Sequence, residues 1–463
     1  MSADHKKTTP RCARSLRMSR LPLALGLLFA GMSAQAQSLQ ELYDAARAYD
    51  ATYLAARAQA DSAQYRAEQA NALARPTVGL GVSGTHQQAD PPSSYTTVGG
   101  QRVQVTGDRV GTTTWQGGLN AKYAVYNRAN SLTIEQAQRS LSVAQTELET
   151  AEQDLIVRVA QAYFDVLAAQ DVLAATRANK AANAEQLASA KRNFEVGTAT
   201  ITDAREAQSR FDLSTAQEIA AENDLRVKRV TLDQIVGRMG VEPRPLALPV
   251  VLPAIAPLNV EPWVSQADEL HPQVRKARLG LEVARLETGK ARAADGVTVD
   301  LTGSLGVSNA RGSGAQLPGS TTAGTVGVQV NLPLYTGGYN QNRIKETLAL
   351  EERSRNDLEF ARRQVAEGTR RAFLGVQSLQ AQVKAYEAAE ASSKLALEAT
   401  QLGYKVGVRV NLDVLNAQNQ LYSTQRDLAK ARYDTVLTSL RLRQAAGQLK
   451  PEDVTAVNQL LAK

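Results

Sequence analysis

The 463-residue sequence carries 53 Lys/Arg against 46 Asp/Glu, a formal net charge of +7, with 43% hydrophobic and 5% aromatic residues. Residues 1–36 hold six Lys/Arg and one Asp, so the rest of the chain keeps only +2 and its charge gives no support to nucleic-acid binding. The single cysteine, Cys12, and the two histidines beyond residue 36, His86 and His271, exclude a disulfide framework and leave no basis for thiol, histidine or metal chemistry.

In chain order, Arg11, Arg14, Arg17 and Arg20, the apolar run 21–29 and the small-residue site Ala34-Gln35-Ala36 predict a secretory signal over 1–36. The apolar run is too short for a retained membrane helix. A first structural repeat is expected over 37–240, opening with a helix over 39–75 that is rich in Ala, Glu, Arg and Gln. Strands follow at about 77–87 and 115–126, where Val78, Leu80 and Val82, then Leu119, Ala121, Tyr123 and Val125, alternate with small or polar residues. Between them, residues 86–114 contain Asp90-Pro91-Pro92 and many Gly, Ser and Thr, as expected of a surface loop. A long helix is predicted at about 131–196, free of proline and internal glycine, and a shorter one at about 203–236. Its narrow stripe of Ala204, Ala207, Phe211 and Leu225 suits close coiled-coil packing.

Pro243, Pro245, Pro249, Pro253 and Pro257 mark a linker over 241–261. A second repeat is expected over 262–447. It has a leading helix at 262–294, strands at about 297–309 and 324–335, a long helix at about 340–406 and a shorter one at about 413–446, before a tail over 448–463. Val326, Val328, Val330, Leu332 and Leu334 give its clearest strand alternation. The duplication is written in the residues themselves. Phe194-Glu195-Val196-Gly197 recurs as Tyr404-Lys405-Val406-Gly407, 210 positions on, and Asp203 with Asp413, Ala207-Gln208 with Ala417-Gln418 and Gly237 with Gly447 keep that offset.

Helices of this length reach roughly 100 Å, which no globular domain of this size requires. No later segment offers about 20 consecutive apolar residues, which argues against a helical span and leaves a β-barrel open. Four strands cannot close a barrel, and open sheet edges are not tolerated in hydrocarbon, so several chains must share one. The predicted fold is therefore mostly α with a membrane β-barrel part, built from a duplicated helix-strand-strand-helix-helix unit. Tyr123, Tyr126 and Tyr335 are candidates for an interfacial aromatic girdle, with ordinary strand packing as the alternative.

The turn Pro333-Leu334-Tyr335-Thr336-Gly337-Gly338 resembles the strand-to-helix elbow of the TolC family of outer membrane efflux proteins, and the segment from Val406 to Gln418 resembles that family's periplasmic-tip signature. The resemblance spans essentially the whole chain after the signal. It implies a homotrimer with four strands per chain in a shared 12-stranded barrel in outer-membrane lipid, above a periplasmic coiled-coil barrel of helices. It also implies passive export of secreted proteins, drugs or other small molecules, with no enzyme activity and no cofactor. Opening is expected on docking of a periplasmic adaptor and an inner-membrane pump of ABC or RND type.

The family pattern places a gate at Arg409, tied to Thr202 and Asp203 of the first repeat with help from Tyr404, and a pore constriction at Asp413, with Asn416 where a second aspartate is usual. Gly197, Thr198, Ala199, Gly407 and Val408 are the expected adaptor contacts, and Pro333, Tyr335, Gly337 and Gly338 the elbow. The plain alternatives are that Thr202, Asp203 and Asp413 cap helices and that Arg409 is a solvated charge. The rival function is a periplasmic coiled-coil or adhesin scaffold without a lumen.

Overall fold

The computed structural model describes residues 37–462 apart from 91, 93, 106–108, 248–249, 251–254, 314 and 316–317, so the signal predicted over 1–36, and Pro249 and Pro253 of the linker, lie outside the described residues. The first repeat runs α1 (Leu39–Tyr49), α2 (Ala51–Asn71), β1 (Thr77–Ala89), β2 (Ser94–Val98), β3 (Gln101–Val105), β4 (Val110–Tyr126), α3 (Arg128–Glu195) and α4 (Ile201–Val236). The second runs α5 (Glu261–Leu270), α6 (Pro272–Ala293), β5 (Thr298–Arg311), β6 (Gly319–Asn331), α7 (Tyr339–Lys405) and α8 (Asn411–Ala445), and α9 (Pro451–Asn458) follows.

Both leading helices, expected as single rods, are broken. Asp50 is extended, ends α1 and caps α2 by accepting from the Tyr53 N–H at 2.8 Å. The Arg158 guanidinium holds the same carboxylate through two bonds of 2.9 Å. Between α5 and α6 the break falls at His271, whose Nδ1 accepts from the Gln273 N–H at 3.1 Å. Pro272 behind it disfavours a helical conformation at residue 271.

The expected loop over 86–114 is largely strand. β1 runs on to Ala89 and β4 begins at Val110, while β2 and β3 pair as a hairpin through Gly99 and Gly100. Both glycines have positive φ, 59° and 84°, as a two-residue turn that follows the strand twist requires. At the other end, β6 stops at Asn331, short of the predicted 335, because Pro333 has no N–H to donate. The predicted tail folds back: Val454, Val457 and Leu461 are buried, and the Ala462 N–H donates to the Pro245 carbonyl at 2.8 Å.

The main sheet is antiparallel in the order β1-β4-β5-β6. Its register puts Val78 opposite Ala121, Leu80 opposite Leu119, Tyr123 opposite Leu301 and Leu301 opposite Val328, so one face is a continuous apolar band. The other face carries Ser83, Gln116, Asn120, Ser304 and Ser308, with Lys122 paired to Asp300 at 2.9 Å. β1 and β6 are the sheet's edges and run in opposite directions.

Below the sheet, α3 packs against α2 and α6, and α6 against α7; farther on, α3 packs against α4 and α8, and α8 against α7. The largest apolar core lies where α1, α3, α4, α8, α9 and the linker meet. It contains Leu42, Tyr43, Leu155, Ile156, Tyr163, Phe164, Leu167 and Leu232, all almost wholly buried. Tyr163 fixes the linker there by donating to the Arg244 carbonyl at 2.9 Å.

Candidate functional site

Two regions of the fold can act on a surrounding phase or on another molecule: the apolar sheet face and the two hairpin tips. On the sheet, exposed Val78, Leu80, Val82, Val326, Val328 and Val330 form a surface that water does not favour. Trp115 stands toward its outer end on the apolar face, its ring directly over Gly84, where a Cβ would come within 2.8 Å. Tyr123 stands near the inner end of that face. Plain alternation would turn Tyr126 to the polar side, together with Lys122 and Ala124. A bulge between Ala124 and Tyr126 instead pairs Tyr126 with Val299 and swings it to the apolar face. Strand rise and barrel tilt give roughly 25 Å between the two aromatic levels, the height of a transmembrane barrel's apolar belt.

At the elbow after β6, Tyr335 is 87% exposed, and Gly337 and Gly338 have φ of 63° and 81°. Gly338 starts α7, and its carbonyl accepts from the Asn342 N–H at 3.1 Å. Pro333 precedes this turn and ends the ladder.

The tips are two versions of one turn. In the first, Gly197 (φ 81°) follows α3, and the Asn193 carbonyl accepts from the N–H groups of Thr198 at 2.8 Å and Ala199 at 3.1 Å. In the second, Gly407 (φ 80°) follows α7, and the Gly403 carbonyl accepts from Val408 at 2.9 Å and Arg409 at 3.1 Å. These bonds satisfy carbonyls that would otherwise be orphaned at the helix ends. Gly197, Thr198, Gly407 and Val408 are exposed and Ala199 is partly so.

The helices that leave the two turns start differently. α4 has a capping box: Thr200 Oγ1 accepts from the Asp203 N–H at 3.2 Å, and Asp203 Oδ2 accepts from the Thr200 N–H at 3.0 Å and its hydroxyl at 2.7 Å. α8 has Val410 at the equivalent place and no side-chain cap. Asp413 is thereby free of capping duty, and its carboxylate lies 3.5 Å from the Arg409 guanidinium.

Within one chain the residues of the expected gate are therefore not joined as the family pattern implied. Arg409 reaches Asp413, Asp203 serves Thr200, and Thr202 is exposed at the start of α4. Tyr404 does link the two hairpins, but through its hydroxyl, which accepts from Asn193 Nδ2 at 3.2 Å. Asn416 accepts from Arg210 Nη2 at 3.2 Å.

Sequence reasoning missed a line of amides between α3 and α8 near these tips. Asn179 Nδ2 donates to Asn419 Oδ1 at 3.1 Å, and Gln186 Nε2 to Asn411 Oδ1. Asn179 Oδ1, Asn183 Oδ1 and Asn411 Nδ2 are buried without a partner. A cavity of about 290 Å³ lined by Asn179, Asn183, Arg210, Ser214, Asn419 and Tyr422 adjoins them. The signal was present as amides at 179, 183 and 186, one helical face. No group of three or more His, Cys, Asp or Glu side chains is placed to hold a metal ion, and no helix is long and apolar enough to cross a membrane, among the described residues.

The family described as Outer membrane efflux protein matches residues 42–238 and 263–448, one match on each repeat. Outer membrane protein TolC of Vibrio cholerae is 30% identical over 446 residues, covering 95% of this chain and 97% of that protein. Alkaline protease secretion protein AprF of Pseudomonas aeruginosa is 33% identical over 307 residues, 66% of this chain and 64% of AprF. In fold, the chain is similar to the outer membrane protein VceC of Vibrio cholerae, with a TM-score of 0.72 at 20% identity over 88% of this chain and 96% of that one.

Proposed function

The chain belongs to the outer membrane efflux protein family and is an outer-membrane channel-tunnel for export; on that premise we propose that three copies close one duct, which a periplasmic adaptor and an inner-membrane pump open. The observation that carries this reading is the sheet, with one apolar face, one polar face and two unpaired edges of opposite direction. β6 of one chain can pair only antiparallel with β1 of the next, so the ladder continues around a ring and leaves no edge in lipid. The edge helices agree. α4 exposes Leu213, Ile219, Val227 and Val230, and α7 exposes Leu374, Leu395 and Leu402, stripes suited to covering each other between neighbours. A scaffold without a lumen has no use for a sheet of this polarity.

Transport through such a duct is passive, and the pump and adaptor supply energy and select the secreted protein or small molecule. In the closed ring, α4 of one chain lies beside α7 of its neighbour. Arg409 then stands between its own Asp413 and the neighbour's first tip, where Thr202 and Asp203 are the nearest acceptors by position. Such exposed pairs contribute about 1 kcal/mol or less each, so docking at Gly197–Ala199 and Gly407–Val408 can break a ring of them. Asp413 and Asn416 line the constriction, with a single carboxylate ring in place of two.

The test is conductance of the purified protein in a planar bilayer. The intact protein should give a small, mostly closed pore from a heat-modifiable trimer, and Arg409→Ala, which removes all three pairs of the ring at once, should raise open probability by roughly fivefold or more. A closed state unaltered by that substitution would sink the gate assignment.

A further inference from the structure

We propose that Gly403 is a positioning residue for Arg409: the absence of a side chain on the last turn of α7 lets Arg409 lie back across that helix and present its guanidinium at Asp413. This deepens the gate reading above and rests on it. A Cβ built at Gly403 would meet Arg409 Cγ at 2.8 Å and Arg409 Cβ at 3.5 Å, and beyond its own helix backbone and chain neighbours it would meet nothing else within 4 Å. Because Cγ is the root of the arginine side chain, a methyl group there forces a different χ1 and swings the whole guanidinium away.

Glycine is otherwise out of place in the body of a helix, where only proline is less favourable. Gly403 has no left-handed φ to explain it, unlike Gly407 four residues on. The other glycines of α7 make no such contact: Gly368 has nothing within 4 Å, and Gly375 only a Thr438 methyl at 3.6 Å.

The first repeat provides the control. Its counterpart of Gly403 is Asn193, whose carbonyl accepts the same pair of turn N–H groups, so the turn itself does not require glycine. The counterpart of Arg409 there is Ala199, which has no Cγ to collide with Asn193. The repeats thus pair a side chain at the helix position with a small residue in the turn, and a glycine at the helix position with an arginine in the turn.

The experiment compares Gly403→Ala, Arg409→Ala and the double variant of the full-length trimer in planar bilayers, with trimer formation checked by heat-modifiable migration. Gly403→Ala should raise open probability by roughly the same factor as Arg409→Ala, about fivefold or more, and the double variant should open no more than Arg409→Ala alone. If Gly403→Ala stays at the intact level while Arg409→Ala opens the pore, the positioning role is overturned and the gate stands. Additive effects in the double variant overturn it equally, because the glycine would then act on the helix and not through Arg409. A closed state insensitive to Arg409→Ala removes the gate and this inference with it.

Discussion

The same two helices, α3 and α8, meet in two unlike ways along their length. Around Tyr163, Phe164 and Tyr433 the contact is aromatic and aliphatic, with Phe164 and Tyr433 stacked at 5.9 Å and Tyr433 donating to Asp171 at 2.7 Å. Nearer the tips it is carried by Asn179, Asn183, Gln186, Asn411 and Asn419, several with a polar atom unpaired, beside only a small apolar cluster of Leu187, Ala190, Ala207 and Leu415. Buried apolar surface stabilises a contact in proportion to its area, whereas a buried amide left unpaired costs about 1–3 kcal/mol. The contrast teaches that a clamp and a slip plane can be written on one helix pair by composition alone.

The sharpest way to break this contrast is at the clamp. Tyr163→Ala removes a fully buried ring and the bonds from its hydroxyl to the carbonyls of Gln37 and Arg244. It should cost about 3–5 kcal/mol and strongly lower the temperature at which the purified protein unfolds in detergent.

Acid probes a different joint, the break between α5 and α6, where His271 lies against Gly447, and should act more weakly. Burial lowers its pKa from 6.5 to about 4. The neutral ring accepts from the Gln273 N–H, and protonation would remove that acceptor and place a cation at the start of α6. The unfolded chain takes up this proton before the folded one does. The stability tied to neutral His271 is therefore full above about 6.5 and drains as pH falls towards about 4, by about 1–3 kcal/mol in total. His271→Asn keeps a capping oxygen and lacks the titration, so its thermal stability should fall less over that interval. Equal acid sensitivity in the two proteins would assign the loss elsewhere.

The smallest effect belongs to the slip plane. Asn183→Leu replaces an amide that has an unpaired oxygen, so stability should change by about 1 kcal/mol or less, while hydrogen exchange in the first turns of α8 slows. A loss as large as that of Tyr163→Ala would erase the distinction between the two regions.

The architecture was legible where one periodicity governs a long stretch. Alternation at Val78–Val82 and Val326–Val330 marks the membrane face, and the proline-free run before Val196 marks α3, because neither depends on a distant partner. The breaks at Asp50 and His271 were not read, since each residue caps one helix while ending another, and Asp50 is held by Arg158, 108 positions away. Residues 94–105 were read as loop from their Gly, Ser and Thr content, although Gly99-Gly100 is itself a hairpin turn. The tail gave no warning of α9 because its apolar residues have meaning only against α1 and the linker.

At the tips, the residues singled out from the sequence sit in the two turns or in the helix ends beside them, yet their partners within the chain differ from those expected. Thr200, not Thr202, caps α4, and this occupies Asp203. Val410 cannot cap α8, and this leaves Asp413 to Arg409. Both facts are local and follow from a single pair of aligned positions, Thr200 and Val410. A link between neighbouring chains has no comparable signature in one sequence.

The open edges of β1 and β6 carry a genetic consequence. β1 and β6 are both unpaired in the single chain, so in the proposed ring a chain damaged at only one edge would still dock through the other and leave the ring unclosed. In the three-copy ring proposed above, the share of sound rings would fall as the cube of the share of sound chains, so an allele that spoils β6 alone should act dominantly over an intact one.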